Sequence, residues 1–287
     1  MDRKQLLEQL DAVYNAGGYE KIEAFMTETI AAAKEEGDWV TQIMIGNELM
    51  GFYRDRGLTS KGVAVYNKIR KLFEEHGLTE DISFASTVLN AANLYRADGQ
   101  LTAALEMFDE VREIYEEVLP PTDFRLAGLY NNMGLAYMDK GERFRAREYL
   151  EKALRIVKAL PNTTVEQATN HVNLANIYAR MDRPDRVEEN LAAAERLYAS
   201  IGNNDPHYSG FLATRAEIAL KNGDPVSAER DYREALKELE KYYGKSRAYA
   251  KTCHNLAAAL DAQEKAEEAA GYRRQAEEIM AALKSTW

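Results

Sequence analysis

Apolar residues recur at intervals of three and four along the chain, as in the series Leu101, Leu105, Phe108, Val111 and Ile114. This spacing places the apolar side chains on one side of an amphipathic helix. Strict alternation of apolar and polar residues is almost absent, and the 287 residues include only 6 prolines. The pattern therefore predicts an all-α chain whose helices of about 15 to 20 residues are joined by short turns.

One arrangement of small, apolar and turn residues repeats along the chain. Its clearest copy has a small residue at Ala92, an aromatic residue at Tyr95, a turn residue at Gly99 and a second small residue at Ala104. The copies begin at Met50, Ala92, Gly134, Ala175, Ala216 and Ala257, so the offsets are 42, 42, 41, 41 and 41 residues. A period held this closely indicates stacked helix pairs.

The residue types of the repeat suit helix hairpins. A small residue in the middle of a first helix lets the second helix approach closely, and a glycine in the turn accepts positive φ. Helix starts are marked by a capping-box sequence at Thr163 to Glu166 and by the pairs Asp205-Pro206 and Asp224-Pro225. We therefore expect each copy to be one helix-turn-helix unit.

The repeated pattern resembles the tetratricopeptide repeat family over nearly the whole chain. That family commonly repeats every ~34 residues. The longer period here is similar to the extended repeats of kinesin light chains and of bacterial peptide-sensing regulators, and the segment from Tyr130 to Tyr137 looks like the light-chain type.

The resemblance implies an all-α right-handed superhelix, an α-solenoid, of about seven helix-turn-helix repeats. We expect one solenoid over residues 1–287, with its last helix, from about Lys265 to Leu283, as a solvated end cap. The predicted repeats cover residues 1–37, 38–78, 79–120, 121–161, 162–204, 205–244 and 245–287.

Charge and composition narrow the classes of function. The chain has 37 Lys and Arg against 47 Asp and Glu, a net charge of −10. Nucleic acids and anionic membranes bind basic surfaces, so neither is an expected partner. The longest uncharged run, 82–95, is shorter than the roughly 20 apolar residues of a membrane-spanning helix, and no signal peptide is visible. With a single cysteine, we expect a cytoplasmic protein.

Side chains that carry catalysis or bind metals are scattered. Cys253 lies four residues before Ala257 on one predicted helix, which indicates a small buried hydrophobe rather than a reactive thiol. No pair of histidines or cysteines has the sequence spacing of metal ligands. We therefore expect no metal, no cofactor and no enzymatic activity. The four histidines are isolated, at His76, His171, His207 and His254.

Asparagine recurs two residues before the small residue of the first helix. It stands at Asn90, Asn132, Asn173 and Asn255. Two positions correspond to about 200° of helix rotation, so these side chains point away from their own hairpin contact. In the family that the chain resembles, asparagines at matching positions line a concave groove and bind the backbone of an extended peptide. An alternative is that they only join neighbouring first helices and fix repeat stacking.

Charged residues are expected on the same face. Five residues after the small residue lie Asp55, Asp139, Arg180 and Lys221. The predicted groove is therefore acidic toward the N-terminal repeats and basic toward the C-terminal ones, and we expect a partner with an acidic stretch near Arg180 and Lys221. The Lys and Arg set with which some family members hold chaperone tails is not reproduced.

These observations favour a non-enzymatic module that binds an extended peptide segment of a partner protein in its groove. The predicted site consists of Asn90, Asn132, Asn173, Asn255, Arg180 and Lys221. One alternative is a homo-oligomer, a scaffold that associates through Trp287 and the weakly patterned first repeat. Another is a peptide-sensing regulator that acts through a partner protein.

Overall fold

The computed structural model describes residues 3–285. Within them the secondary structure consists of fourteen α-helices and no strand, so the predicted all-α class is confirmed. Trp287 lies outside the described residues. The helices are α1 (Arg3–Ala16), α2 (Tyr19–Glu35), α3 (Trp39–Arg56), α4 (Thr59–Glu75), α5 (Ile82–Ala97), α6 (Leu101–Val118), α7 (Phe124–Asp139), α8 (Arg143–Ala159), α9 (Thr164–Arg180), α10 (Pro184–Ser200), α11 (Tyr208–Lys221), α12 (Pro225–Tyr243), α13 (Arg247–Asp261) and α14 (Ala266–Ser285).

The helices form two compact units, which divide after Pro120. Unit 1 contains α1 to α6, and unit 2 contains α7 to α14. In unit 1, Met26, Ile45 and Phe52 belong to one buried apolar cluster. In unit 2, Tyr198 packs on Phe211, with ring centroids 5.8 Å apart. The division of the chain into seven repeats of a single solenoid stays a prediction.

Small residues hold the two helices of a pair close together, as the repeat pattern predicts. Ala92, Ala104 and Ala146 are fully buried. Gly134 shows how tight the contact is, because a Cβ atom added there would lie 2.7 Å from Leu150 Cγ on the facing helix. These contacts fix which side of each first helix faces its own hairpin partner.

The aromatic residue of the repeat joins one helix pair to the pair before it. Tyr53 and Tyr178 are buried in their seams, yet each hydroxyl reaches a carboxylate. Tyr53 donates to Glu23 over 2.7 Å and Tyr178 donates to Glu151 over 2.8 Å. The ring therefore fills the seam while the polar tip is satisfied, as a buried phenol requires.

The turn residues adopt the expected left-handed backbone. Gly99, Gly141 and Gly223 have φ of 80°, 83° and 81°, while Asp182 and Glu264 take the same place at 56° and 62°. A residue with a Cβ atom is strained at such values. The turn geometry is thus preserved even in the repeats that lack glycine.

Of the three predicted helix starts, one is wrong and another lacks its predicted capping hydrogen bond. Asp224 caps α12 and accepts from Ser227 N over 3.0 Å, with Pro225 as the first helical residue, as predicted. α9 begins at Thr164 with Thr163 as its N-cap residue, as predicted, but the capping box is not formed because the Thr163 hydroxyl donates to carbonyl oxygens near the end of α8. The start at Asp205 is wrong: Asp205 accepts from His207 N within a turn, and α11 begins at Tyr208.

Two glycines of α7 provide a matched test of the close helix approach. Gly128 has no atom within 4 Å of an added Cβ atom, whereas at Gly134 that atom would meet Leu150 and lie 3.2 Å from Ala146 O. Gly128→Ala should raise the free energy of unfolding by about 0.5–1 kcal/mol through helix propensity. Gly134→Ala should lower it, since overpacking costs about 1–3 kcal/mol. Urea denaturation followed by circular dichroism measures both, and equal stabilisation by the two changes would contradict the tight seam.

Candidate functional site

The predicted asparagine of unit 1 joins two neighbouring first helices. Asn90 Nδ2 on α5 donates to Asn47 Oδ1 on α3 over 3.0 Å. Asn47 Nδ2 in turn donates to Thr87 Oγ1 on α5 over 3.0 Å and to Ile43 O over 3.1 Å. These bonds form a polar connection from α3 to α5.

The same connection recurs in unit 2. Asn173 Nδ2 on α9 donates to Asn131 Oδ1 on α7 over 2.8 Å. In both units the partner asparagine stands three residues before its own small residue and belongs to the preceding first helix. The contacts of Asn90 and Asn173 therefore favour the alternative in which asparagines fix the stacking of repeats.

Asn132 and Asn255 have different surroundings. The half-buried side chain of Asn132 has no hydrogen-bond partner within residues 3–285. The amide of Asn255 interacts with the hydroxyl of Tyr232 on α12. Of the four predicted asparagines, Asn132 thus keeps its full capacity as donor and acceptor, which in an amide group matches a peptide unit.

Unit 2 contains an open cleft of about 290 Å³ across the C-terminal ends of three first helices, α7, α9 and α11. The apolar part of its wall comes from Met138, Ala179 and Ile218. The cleft brings together Arg180 and Lys221, the two basic residues of the predicted site. Its polar side chains are Arg143, Asn176, Arg180, Thr214, Glu217 and Lys221.

Arg180 and Lys221 are held in the cleft by backbone carbonyl groups. Lys221 Nζ donates to Ala179 O over 2.8 Å, and Arg180 Nη1 donates to Met138 O over 3.5 Å. Both acceptors lie in the last turn of a helix, where the helix dipole favours a cation. Arg180 Nε also donates to Asn176 Oδ1 over 3.2 Å. Since an ammonium has three donors and a guanidinium has five, both groups retain donors for a ligand.

The helical spacing explains why these residues share one face. Thr214 and Lys221, like Asn173 and Arg180, are seven residues apart, which is close to two helical turns. Asn176 lies one turn after Asn173. Stacking contacts and the cleft therefore lie along one side of α9, with the asparagine bond in the middle of the helix and the charges at its end.

The sequence-based predictions missed some residues of the site. Asn131 and Asn47 precede their partners Asn173 and Asn90 by 42 and 43 residues, so a search for asparagines one repeat apart would have found both. Arg143 lies beyond the turn, on α8, and has no basic counterpart in the other copies. A repeat-based search could not have found it.

The predicted acidic residues are exposed on their helices. In α3 of unit 1 this is Asp55, whose Oδ1 accepts from Arg54 Nη2 over 2.9 Å. In α7 of unit 2 it is Asp139. The change from acidic to basic along one groove stays a prediction, as does the cytoplasmic location.

Other reactive side chains serve the core. Cys253 is fully buried, as expected, its Sγ lies 3.6 Å from Gln275 Oε1, and burial raises its pKa to about 11. Between residues 3 and 285 no group of three or more His, Cys, Asp and Glu is arranged to hold a metal ion. In the same range, no helix combines the length and apolar character that crossing a membrane requires.

Comparison with known proteins places the repeats in a family. Models described as tetratricopeptide repeat match residues 84–124 and 125–200. No curated protein matches the chain. Residues 84–200 thus belong to tetratricopeptide repeats, as the sequence pattern predicts.

Solved structures share the fold at low sequence identity. A Rap protein complexed with competence and sporulation factor is 15% identical, with a TM-score of 0.75 over 97% of this chain and 75% of that one. The Rap conjugation gene regulator of plasmid pLS20, complexed with the Phr* peptide, is 13% identical, with a TM-score of 0.65 over 84% and 75%. BtubC (BKLC) from P. vanneervenii is 19% identical, with a TM-score of 0.56 over 80% and 91%. At these identities the likeness shows the fold alone.

The asparagine bond between α7 and α9 can be measured with a double-mutant cycle. Asn131→Ala and Asn173→Ala should each destabilise unit 2, and their coupling should be about 0.5–1.5 kcal/mol, the net contribution of one hydrogen bond. Asn132→Ala, the control at the adjacent position, should leave stability nearly unchanged because its amide has no partner to lose. A coupling of zero would show that the bond does not stabilise stacking.

His171 should make unit 2 sensitive to acid. Its ring Nδ1 lies 2.8 Å from Asn190 Oδ1, and burial lowers its pKa below the usual 6.5. A depressed histidine pKa means that stability is full above about pH 6.5 and falls as the pH drops through that value, because the unfolded chain binds the proton more readily. Unfolding curves between pH 5 and 8 should therefore show a smaller loss for His171→Gln than for the wild type. His254→Gln, at an exposed position, is the control and should behave like the wild type.

Proposed function

We propose that this protein is a non-enzymatic interaction module that binds an extended peptide segment of a partner protein along the first helices of unit 2. The observation that carries the proposal is the cleft that gathers Arg180 and Lys221 beside Asn176 and Thr214. Cations with unused donors suit the carboxylates of a ligand, and amide and hydroxyl groups suit its backbone. The ligand is accordingly an acidic segment.

Asn132 is the asparagine best suited to the peptide backbone, since its amide has no other partner within the described residues. Asn90 and Asn173 use one donor each for stacking and keep their remaining capacity. The role of Asn173 in the proposal is to hold α7 and α9 in register, so that the ligand meets a preformed surface. Preformed sites avoid part of the ordering penalty of binding.

Hydrogen bonds set the scale of the affinity. Each contributes about 1 kcal/mol net, whereas association costs about 4 kcal/mol or more. Contacts with the cleft cations and with its apolar wall must supply the difference. We therefore expect a micromolar Kd.

The fold is consistent with this role. A solved relative of similar fold, the pLS20 regulator, is described in complex with a peptide. Stacked helix pairs present extended surfaces for partners. A regulator that senses a small peptide would use the same surface and pass the signal through a partner protein.

The cleft cations provide the test. The double variant Arg180→Glu with Lys221→Glu should lose the partners that the wild type retains from a lysate of the source cells, as counted by quantitative mass spectrometry. Arg155→Glu with Lys158→Glu changes the net charge equally at exposed positions of α8 outside the cleft, and should retain them. Equal retention by both doubles would overturn the proposal.

The alternative function, a self-associating scaffold, predicts a different experimental result. Light scattering would then report a mass that rises with concentration and does not respond to the Arg180 and Lys221 substitutions. A constant monomer mass, together with loss of partners in the cleft double, favours the interaction module.

A further inference from the structure

The cleft reaches the turn between α7 and α8, where two neighbouring residues have exposed side chains. Arg143 is exposed, and its guanidinium has no hydrogen bond or ion pair within residues 3–285. It is the first residue of α8, where the helix dipole disfavours a cation. Phe144, the next residue, is 73% exposed. Both side chains are therefore largely exposed.

Val226 has the same position in its repeat as Phe144. Each is the second residue of a second helix, and Val226 is 66% exposed. In the other copies this position holds polar residues, which are Ser60, Thr102, Asp185 and Glu267. The repeat therefore does not require an apolar residue there. The two exceptions lie close in sequence to the cleft wall, since Phe144 follows Arg143 and Val226 comes five residues after Lys221, and both Arg143 and Lys221 line the cleft.

The distance between the two apolar residues follows from the stacking. The first helices α7, α9 and α11 are successive neighbours, and packed helices lie about 8–10 Å apart. Phe144 and Val226 are two such steps apart, or about 16–20 Å. An extended chain covers that distance in about six residues.

The charge of the surface between Phe144 and Val226 determines which ligand residues fit there. The cleft contains the cations Arg143, Arg180 and Lys221 and one carboxylate, Glu217, so its formal charge is 3 − 1 = +2 in a chain of net charge −10. At the intervening turn, Arg183 and Asp185 pair with each other at 3.1 Å, and Asp182 adds one exposed carboxylate, so the surface keeps a formal charge of 2 − 1 = +1. A carboxylate-bearing segment complements this surface.

We propose that this edge of unit 2 selects an extended segment of another protein that has two apolar side chains about six residues apart with acidic residues between them. Phe144 and Val226 pack on the apolar side chains, and Arg143 binds a carboxylate in addition to those at Arg180 and Lys221. The proposal rests on the proposed function of the cleft and adds the spacing and chemistry of its ligand.

Four fluorescein-labelled peptides of equal length test the ligand by fluorescence anisotropy. The first has two leucines six positions apart with three glutamates between them. The others replace the glutamates with lysines, replace the leucines with serines, or place the leucines three positions apart. Wild-type protein should bind the first peptide at least about fivefold more tightly than each of the others. Equal affinities, or no binding of the first peptide at millimolar concentration, would overturn the proposal.

Variants of the protein separate this inference from the proposed function. Phe144→Ser, Val226→Ser and Arg143→Glu should each weaken binding of the first peptide at least about fivefold. Phe124→Ser is the control, because Phe124 is 48% exposed at the opposite end of α7. If only Arg180→Glu and Lys221→Glu weaken binding, the edge is not used but the cleft is. If none of these variants weakens binding, the proposed function fails as well.

Discussion

Two helices can cross closely only where one of them has almost no side chain at the point of contact. In most helix pairs of this protein that point is the small residue of the first helix, and at Gly134 an added Cβ atom would lie only 2.7 Å from Leu150 Cγ. Once this contact is fixed, the rotation of the first helix about its axis is fixed as well. Every other side chain of that helix then has its direction determined by its spacing from the small residue.

That constraint leaves three surfaces on each first helix. One faces the second helix of the same pair, one faces the neighbouring first helices, and the remainder is open. The hydrogen bond from Asn173 to Asn131 occupies the second surface. Arg180, two turns further along, lies where the helix ends and the open surface widens into a cleft. One helical face thus provides rigidity in its middle and charge at its end.

The sequence was sufficient to predict the helix pairs because small residues, tyrosines and turn glycines each have a local physical reason. The sequence did not predict the hydrogen-bond partner where a side chain has several possible partners nearby. The hydroxyl of Thr163 lies after Asn162, whose φ is 58°, and it turns back to Val157 O rather than forward into α9. Helical rotation correctly predicted that Asn90 and Asn173 point away from their own hairpins, but their partners stand on other helices. Arg143 belongs to no repeated pattern, so only the folded chain brings it to the cleft.

The net charge of the chain and the charge of its cleft have opposite signs, and distance decides which of them a ligand experiences. At physiological ionic strength the Debye length is about 8 Å, so most of the 47 carboxylates are screened from a segment lying in the cleft. A segment lying in the cleft would contact Arg180 and Lys221 directly. The helix-end carbonyl groups of Met138 and Ala179 already hold these two side chains in place. The hydrogen bonds to these carbonyl groups neutralise only part of the positive charge of the two cations. They also fix the two side chains in advance, so that less side-chain entropy is lost when a ligand binds. An acidic chain can therefore bind an acidic segment, provided that its cations are gathered and held in position before the ligand arrives.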